Sequence, residues 1–449
     1  MRAVESILVE NPRRGRRMGA ADRGRVERAD RLTRWPGILI AAMAIVLMVL
    51  PLAKSGYIDR AIKVYLLVIW LVLAVLQRPG WATRMNRWLY VVPIWVIYLA
   101  IYGTLGGSSE LFSAIGSYSL FYSCAYIYDY YADDPRALSF LCITVLVSFL
   151  AGSIMSIGVL RANPMAARLV TTGEYSDLAL TGVCEFRFAY GVAFILPCLL
   201  AAIISSRKSL LYRLLGGATL CCFLYLTYLA SFGIAVGITI VGLAVALVLV
   251  IRSRDLRTVA LMGVFVVVML VLSGTASNLL FAASRSIPNE TIARKLNEVA
   301  ALTAQTVRSD MDILSRQRLY QRSLETFLDE PVIGAGPYFD PAQARQLGIS
   351  GHSEWLDLLA RLGLVGASMI IISTLALARR SCKQWKGAYY GAVSNLAFAL
   401  VLAYGLVNPF LGMTEIGVVI FLAWHALPHV FGVTRPDPPV RQPLPGQLV

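Results

Sequence analysis

Long apolar runs dominate the chain, separated for the most part by short polar connections. Twelve of them are candidates to cross a bilayer as helices: 37–53, 62–77, 88–106, 110–128, 137–160, 186–205, 212–230, 233–251, 256–273, 355–377, 388–408 and 414–432. A spanning helix needs about 20 residues to cover the hydrocarbon core. Most of these runs are apolar on every face, as expected for helices surrounded by lipid and by one another. Strands of a membrane barrel would alternate apolar and polar positions, and these runs do not. The seventh and eighth runs meet at "LASFGIAVG", which predicts a tight helical hairpin. The pattern predicts an all-α, polytopic integral membrane protein with about 12 transmembrane helices. It divides the chain into a basic arm (1–36), nine transmembrane helices (37–273), a long outer loop with helices of its own (274–354), three more transmembrane helices (355–432) and a Pro-rich tail (433–449).

Composition agrees and adds an orientation. Of 449 residues, 57% are hydrophobic and only 15% charged, against roughly 25% charged in a soluble domain. The net charge of +15 would suggest a nucleic-acid partner in a soluble protein. Here most of the basic residues fall in the N-terminal arm, in the tail and in alternate connections, around Arg78 to Arg87, Arg136, Arg207 to Arg213, Arg252 to Arg257 and Arg379 to Lys386. That distribution is the positive-inside signal, so both termini are expected in the cytoplasm, and the surplus is read as a leaflet anchor with no nucleic-acid partner. The arm carries ten Arg and little apolar content. It is expected to be disordered rather than a signal peptide.

The cysteines (Cys124, Cys142, Cys184, Cys198, Cys221, Cys222, Cys382) lie almost entirely within the runs, without paired spacing or a nearby His, and are read as packing residues. His425 and His429 have i,i+4 spacing, but Pro428 lies between them and no third ligand is near, so no metal is expected.

The outer loop is where chemistry is sought, because so long a connection with helical pattern of its own is more than a link. In "DMDILSRQRLYQRSLETFLDEP" the residues Ile313, Tyr320, Leu324 and Phe327 define one apolar stripe, and Arg316 falls on it. A cation on a buried stripe needs an anionic partner. Either a structural ion pair or a bound anion would supply one, and the anion is preferred. Arg318 and Arg322 are read as a solvated face. Pro331, Gly334 and Gly336 end the helix in what reads as a turn. Next comes "GHSEWLDLLARLGLVG", where Ser353 is expected to cap a helix whose first turn holds Glu354 and Asp357. His352, at that N-terminus, is disfavoured as a cation and suited to act as a base; an interfacial histidine is the alternative. Arg187, at the outer end of the sixth run, is an intramembrane cation that faces either a substrate or, by snorkelling, the interface. Arg361, with Asp357 four residues before it, is read as one half of a local pair.

At these residues the chain resembles the O-antigen ligase and polymerase family of bacterial membrane glycosyltransferases. One block is "SRQRLYQRSLETFLDEPVIGAG", where a helical Arg followed by a Pro and a glycine turn falls on Arg316, Pro331, Gly334 and Gly336. The other, a His and a small polar residue followed by Gly-x-x-Gly, falls on His352, Ser353, Gly363 and Gly366. Arg187 stands where relatives place an Arg ahead of a glycine. Two departures stand out: Phe232 replaces an Arg common in relatives between Ser231 and Gly233, and Arg361 replaces an acid.

The resemblance implies a metal-independent, inverting glycosyltransferase of GT-C-like architecture in the bacterial inner membrane, needing no cofactor or nucleotide. Its donor would be a glycan on a polyprenyl diphosphate, with undecaprenyl the usual carrier. Its acceptor would be the hydroxyl of another glycan or of lipid A-core, with the bilayer and other polysaccharide-assembly proteins as further partners. Arg187 and Arg316 would hold the departing diphosphate, and His352 would activate the acceptor. The Ser-x-Trp-Leu-Asp wording after His352 leans towards a polymerase; an O-antigen ligase is the alternative. A secondary transporter, the rival from another class, would place its unusual charges near the midplane of repeat-related halves, and here they gather towards one face.

Overall fold

The computed structural model describes residues 20–51, 57–105, 111–163, 165–172, 182–230, 232–251, 312–336, 351–385 and 388–434, with short pieces between 284 and 297 and between 344 and 349. The expected ninth span (256–273), most of the first loop helix, the Pro-rich tail and the first 19 residues lie outside the described residues.

Regular structure among the described residues is entirely helical. In chain order the helices are α1 (Ala20–Val49), α2 (Tyr57–Gln77), the short α3 (Trp81–Arg84), α4 (Arg87–Leu105), α5 (Leu111–Tyr131), α6 (Pro135–Ala162), the short α7 (Ala166–Thr172), α8 (Phe186–Ile204), α9 (Leu210–Ala230) and α10 (Gly233–Val250). Then follow the loop helix α11 (Asp312–Asp329), α12 (Glu354–Gln384), α13 (Tyr389–Val407) and α14 (Thr414–Phe431). Eight of these are long and apolar enough to cross a membrane: α4, α6, α8, α9, α10, α12, α13 and α14. The apolar parts of α1 and α2, Trp35–Val49 and Ala61–Gln77, are shorter. The protein is therefore a polytopic helical membrane protein.

The remaining expected span, 110–128, is α5. It is long enough, but its many Tyr and Ser residues make it less apolar than its neighbours. Such a helix suits an interior position, and Phe121, Tyr122, Cys124 and Ile127 are all fully buried. α1 begins at Ala20, well upstream of the apolar run that predicted it, so the helix takes in residues of the basic segment.

Two helices form the centre. α8 and α14 have 78% and 89% of their spanning residues buried, the largest shares of any span. α9, α10 and α13 pack around α8, while α14 packs against α5 and α6. α9 and α10 follow each other almost directly, as "LASFGIAVG" predicted, and both pack on α8. Close approach is bought with small residues: at Gly242 of α10 an added Cβ would lie 2.6 Å from Pro197 Cγ of α8. α14 carries a π-helical turn at Val419–Ala423 just before Trp424, whose indole donates to the Phe194 carbonyl of α8 at 3.1 Å.

Four of the cysteines (Cys124, Cys142, Cys184 and Cys198) are buried and reduced, in keeping with packing; Cys221 is exposed on α9. His425 is buried with its ring 4.3 Å from that of Tyr128, and Tyr128 donates to Gln384. Beside them Arg380 and Asp129 form a salt bridge, with Trp81 donating to the second carboxylate oxygen.

Candidate functional site

His352 is half-buried in the turn that leads into α12, next to Gly351 at φ +69°. Ser353 follows, fully buried, and caps the helix as expected. Its hydroxyl accepts from the Leu356 N–H at 3.4 Å, and its carbonyl accepts from the Asp357 N–H at 3.0 Å. The same hydroxyl donates to the Gly405 carbonyl at 3.3 Å, which joins the cap to α13.

The two acids of the first turn do more than complement the helix dipole. Both are 4% exposed, and a buried carboxylate needs donors. Glu354 Oε2 accepts from the backbone N–H groups of Phe410 and Leu411, so it holds the connection between α13 and α14. Asp357 uses both oxygens: Oδ2 accepts from the Ser353 N–H at 3.3 Å, and Oδ1 accepts from the hydroxyl of Ser323 on α11 at 2.8 Å. Arg361 was expected to pair with Asp357. Arg361 is half-buried, and its charge is near enough to act on Glu354 and Tyr118.

α11 packs along α12. Its buried stripe differs in detail from the sequence reading, for Leu324 is 43% exposed and Ser323 is fully buried in its place. Tyr320 and Phe327 are half-buried, and Phe327 packs on Ala344, Ile349 and Ala360. Arg318 and Arg322 are exposed, as expected. Arg316 lies on α11 two turns before Ser323; its side chain lies outside the described residues.

The glycines of the two motif blocks meet one another. Gly363 interrupts α12 at φ 59° and ψ −168°, a backbone region essentially reserved for glycine. The break removes the helical bonds that N–H groups 364 and 365 would make to carbonyls 360 and 361. The turn after α11 supplies replacements for all four groups. Ala335 and Gly336 donate to the carbonyls of Ala360 and Arg361 at 2.9 and 3.1 Å, while Leu364 and Val365 donate to those of Pro331 and Val332 at 2.8 and 3.1 Å. A Cβ at Gly363 would lie 2.3 Å from the Val332 carbonyl oxygen, and one at Gly334 would lie 2.5 Å from the Arg361 carbonyl carbon. Tyr102 of α4 donates to the Gly334 carbonyl at 2.8 Å. At Gly366 an added Cβ would lie 2.7 Å from the Tyr98 ring, and its carbonyl accepts from Trp95 at 3.0 Å. These glycines thus form a backbone clamp between loop and helix, more than the simple turn expected.

Arg187 is exposed in the first turn of α8, with its guanidinium 5.7 Å from the centroid of the Phe186 ring. A cation at a helix N-terminus opposes the dipole and gains from an anion placed there. The hydrogen bonds that join α11 to α12 do not involve Arg187. A chain of aromatic contacts runs from its neighbour instead: Phe186 to Tyr190, Tyr190 to Tyr404, Tyr404 to Phe410, and Phe410 to Trp355 in the first turn of α12. Phe232, which stands in place of the arginine of relatives, joins this set against Tyr190 with ring centroids 6.3 Å apart.

The sequence reading missed Ser323 and the bridging role of Asp357. A polar residue on the buried stripe, seven positions after Arg316, was the available signal. It also passed over two charges buried within the helices: Lys63 on α2, 6% exposed, and Glu415 on α14, 1% exposed. Among the described residues no group of His, Cys, Asp and Glu has the arrangement of a metal site.

No curated protein matches the chain. Residues 215–371 match the family model described as O-antigen ligase, a segment that runs from α9 to the middle of α12 and contains both motif blocks.

Proposed function

We propose that the protein transfers a glycan from a polyprenyl diphosphate to a hydroxyl acceptor at the outer face of the bacterial inner membrane, in O-antigen or exopolysaccharide assembly. The match of residues 215–371 to the O-antigen ligase family model supports glycosyl transfer of the O-antigen ligase and polymerase type in general. The observation that carries the finer reading is the interlocking of the two motif blocks. Four backbone hydrogen bonds join the turn that ends the helix of Arg316 to the break in α12, and the Ser323–Asp357 bond joins that helix to the first turn after His352.

In this reading Arg316 stabilises the charge that develops on the departing diphosphate, and Arg187 binds the same group from the start of α8. Departure of a diphosphate places negative charge on its oxygens, and fixed guanidinium donors stabilise that charge more than they stabilise the ground state. His352 takes the proton of the attacking hydroxyl, a task that requires a neutral imidazole. The energy comes from the diphosphate bond, with no metal or nucleotide required. Ser353, Gly334, Gly336, Gly363 and Gly366 serve the site by fixing its backbone.

The test is the surface glycan of a deletion host complemented with variants. His352→Ala and Arg316→Ala are each expected to lower transfer on the order of a hundredfold or more, the usual cost of one lost transition-state contact. Near-normal polymer or ligated product with both variants would overturn the proposal. The same deletion host separates the two members of the family. Single repeats still attached to lipid A-core indicate a polymerase, the favoured outcome, whereas accumulation of long lipid-linked chains indicates a ligase.

A further inference from the structure

We infer that Asp357 is a positioning residue, which sets the distance between the helix carrying Arg316 and the turn carrying His352 through its bond to Ser323. The inference rests on the proposed reading of the site and adds to it a residue pair that is not among the positions defining the motif blocks, Ser323 lying within the first and Asp357 within the second.

Several observations converge on it. Asp357 is 4% exposed and Ser323 fully buried, so their 2.8 Å bond is shielded from competing water. Each oxygen of the carboxylate serves a different element. Oδ2 receives the N–H of Ser353, the residue next to His352, and Oδ1 receives the hydroxyl from α11. One rigid carboxylate thus fixes both the turn and the helix. Ser323 lies seven residues, or about two helical turns, after Arg316, so the two positions share one face of α11. A shift of α11 relative to α12 would therefore move both together. The glycine clamp lies on the far side of Ser323, after the end of the helix. The Asp357–Ser323 bond ties α11 to α12 on the Arg316 side of that clamp. Its removal would let the two catalytic groups lose register, and small misplacement of reacting groups is costly in rate.

The experiment uses the purified full-length protein in proteoliposomes. Lipid-linked glycan extracted from the deletion host serves as donor, and glycan acceptors from the same cells are supplied in excess. Ser323→Ala is expected to lower kcat about tenfold with donor KM little changed, because the bond acts on the arrangement reached in the transition state and not on donor binding. Ser323→Thr, which keeps the hydroxyl, is expected to restore most of the rate. In an Asp357→Ala background the further change Ser323→Ala is expected to have no effect, since residues that act through one contact are not additive. Asp357→Leu, close in size and without an acceptor, takes the place of Asp357→Ala in that cycle where the latter does not fold. A wild-type kcat for Ser323→Ala, equal losses for the Ala and Thr variants, or fully additive losses would each overturn the inference. His352→Ala, measured alongside, separates this from the proposed function. If it is inactive while Ser323→Ala is unaffected, only the positioning role fails. If His352→Ala is fully active, the reading of the site itself fails.

Discussion

Glu354 shows how much a single side chain can hold. Its carboxylate is buried at the start of α12 and accepts two backbone N–H groups from Phe410 and Leu411, some 56 residues away in sequence. Neither N–H has water to turn to if the acceptor is removed, and a buried donor left unsatisfied costs about 1–3 kcal/mol. Glu354→Ala is therefore expected to lower thermal stability in detergent by several degrees and to reduce the folded yield. Glu354→Gln keeps one carbonyl oxygen as acceptor and should lose clearly less. Equal melting temperatures for the two variants would show that the backbone of the α13–α14 connection does not depend on this carboxylate. The sequence made Glu354 and Asp357 visible as acids in a first helical turn, where the dipole accounts for them. It did not show their partners. Those partners lie on α11 and after α13, and spacing along one helix carries no information about which distant backbone groups need an acceptor.

At the scale of elements the informative feature is the break in α12. An apolar run of this length reads as one continuous span, and the hydrophobic pattern has no means of marking a single residue of positive φ inside it. The Gly-x-x-Gly spacing did mark it, as a motif whose structural reason was not visible until the turn at Pro331 to Gly336 was placed against it. Gly363→Ala should then be among the most damaging small changes in the protein, because a methyl group would meet the Val332 carbonyl at 2.3 Å in a conformation that L residues rarely adopt. The expected result is a drop of at least tenfold in transfer, with loop protection from protease reduced. Gly217 provides the contrast. It is helical, on α9, and an added Cβ would meet nothing within 4 Å, so Gly217→Ala should be neutral or stabilise by up to about 1 kcal/mol. Comparable losses at both positions would mean that the clamp geometry is not what Gly363 contributes. The apolar stripe on α11 teaches the same lesson from the other side. Helical period put Arg316, Tyr320 and Phe327 on one face, but it favoured Leu324 over Ser323 for burial, since hydrophobicity alone cannot see the carboxylate that makes a buried serine favourable.

The whole molecule was the most legible level, because bilayer thickness imposes one length and one composition on every span. Ten of the twelve expected spans correspond to apolar helices, α5 to a less apolar internal helix, and one lies outside the described residues. Sidedness is a separate matter, read from the distribution of Lys and Arg, and the proposed reaction depends on it. Polyprenyl-linked glycan at the outer face can be used only if His352 and the start of α8 face outward. α8 offers a direct measure, since its 19 residues rise about 28 Å, close to the thickness of the hydrocarbon core. Its first turn, with Arg187, and the Arg207 connection after its end must then lie on opposite sides. Leu347, near the His352 turn, and Arg207 are both exposed and lie outside the proposed catalytic set. In intact cells with a permeable outer membrane, Leu347→Cys is expected to react with a membrane-impermeant maleimide above the background of the unsubstituted protein. Arg207→Cys should react only after the inner membrane is opened. The reverse pattern would invert the topology, bring His352 to the cytoplasm and remove the lipid-linked glycan of the outer leaflet as the donor. Labelling of both sites in intact cells would mean that α8 does not cross the membrane as a spanning helix. The positive-inside distribution favours the first pattern for a physical reason: moving the cluster of Arg207, Lys208 and Arg213 through the bilayer during insertion is costly, whereas the outer loop is nearly neutral.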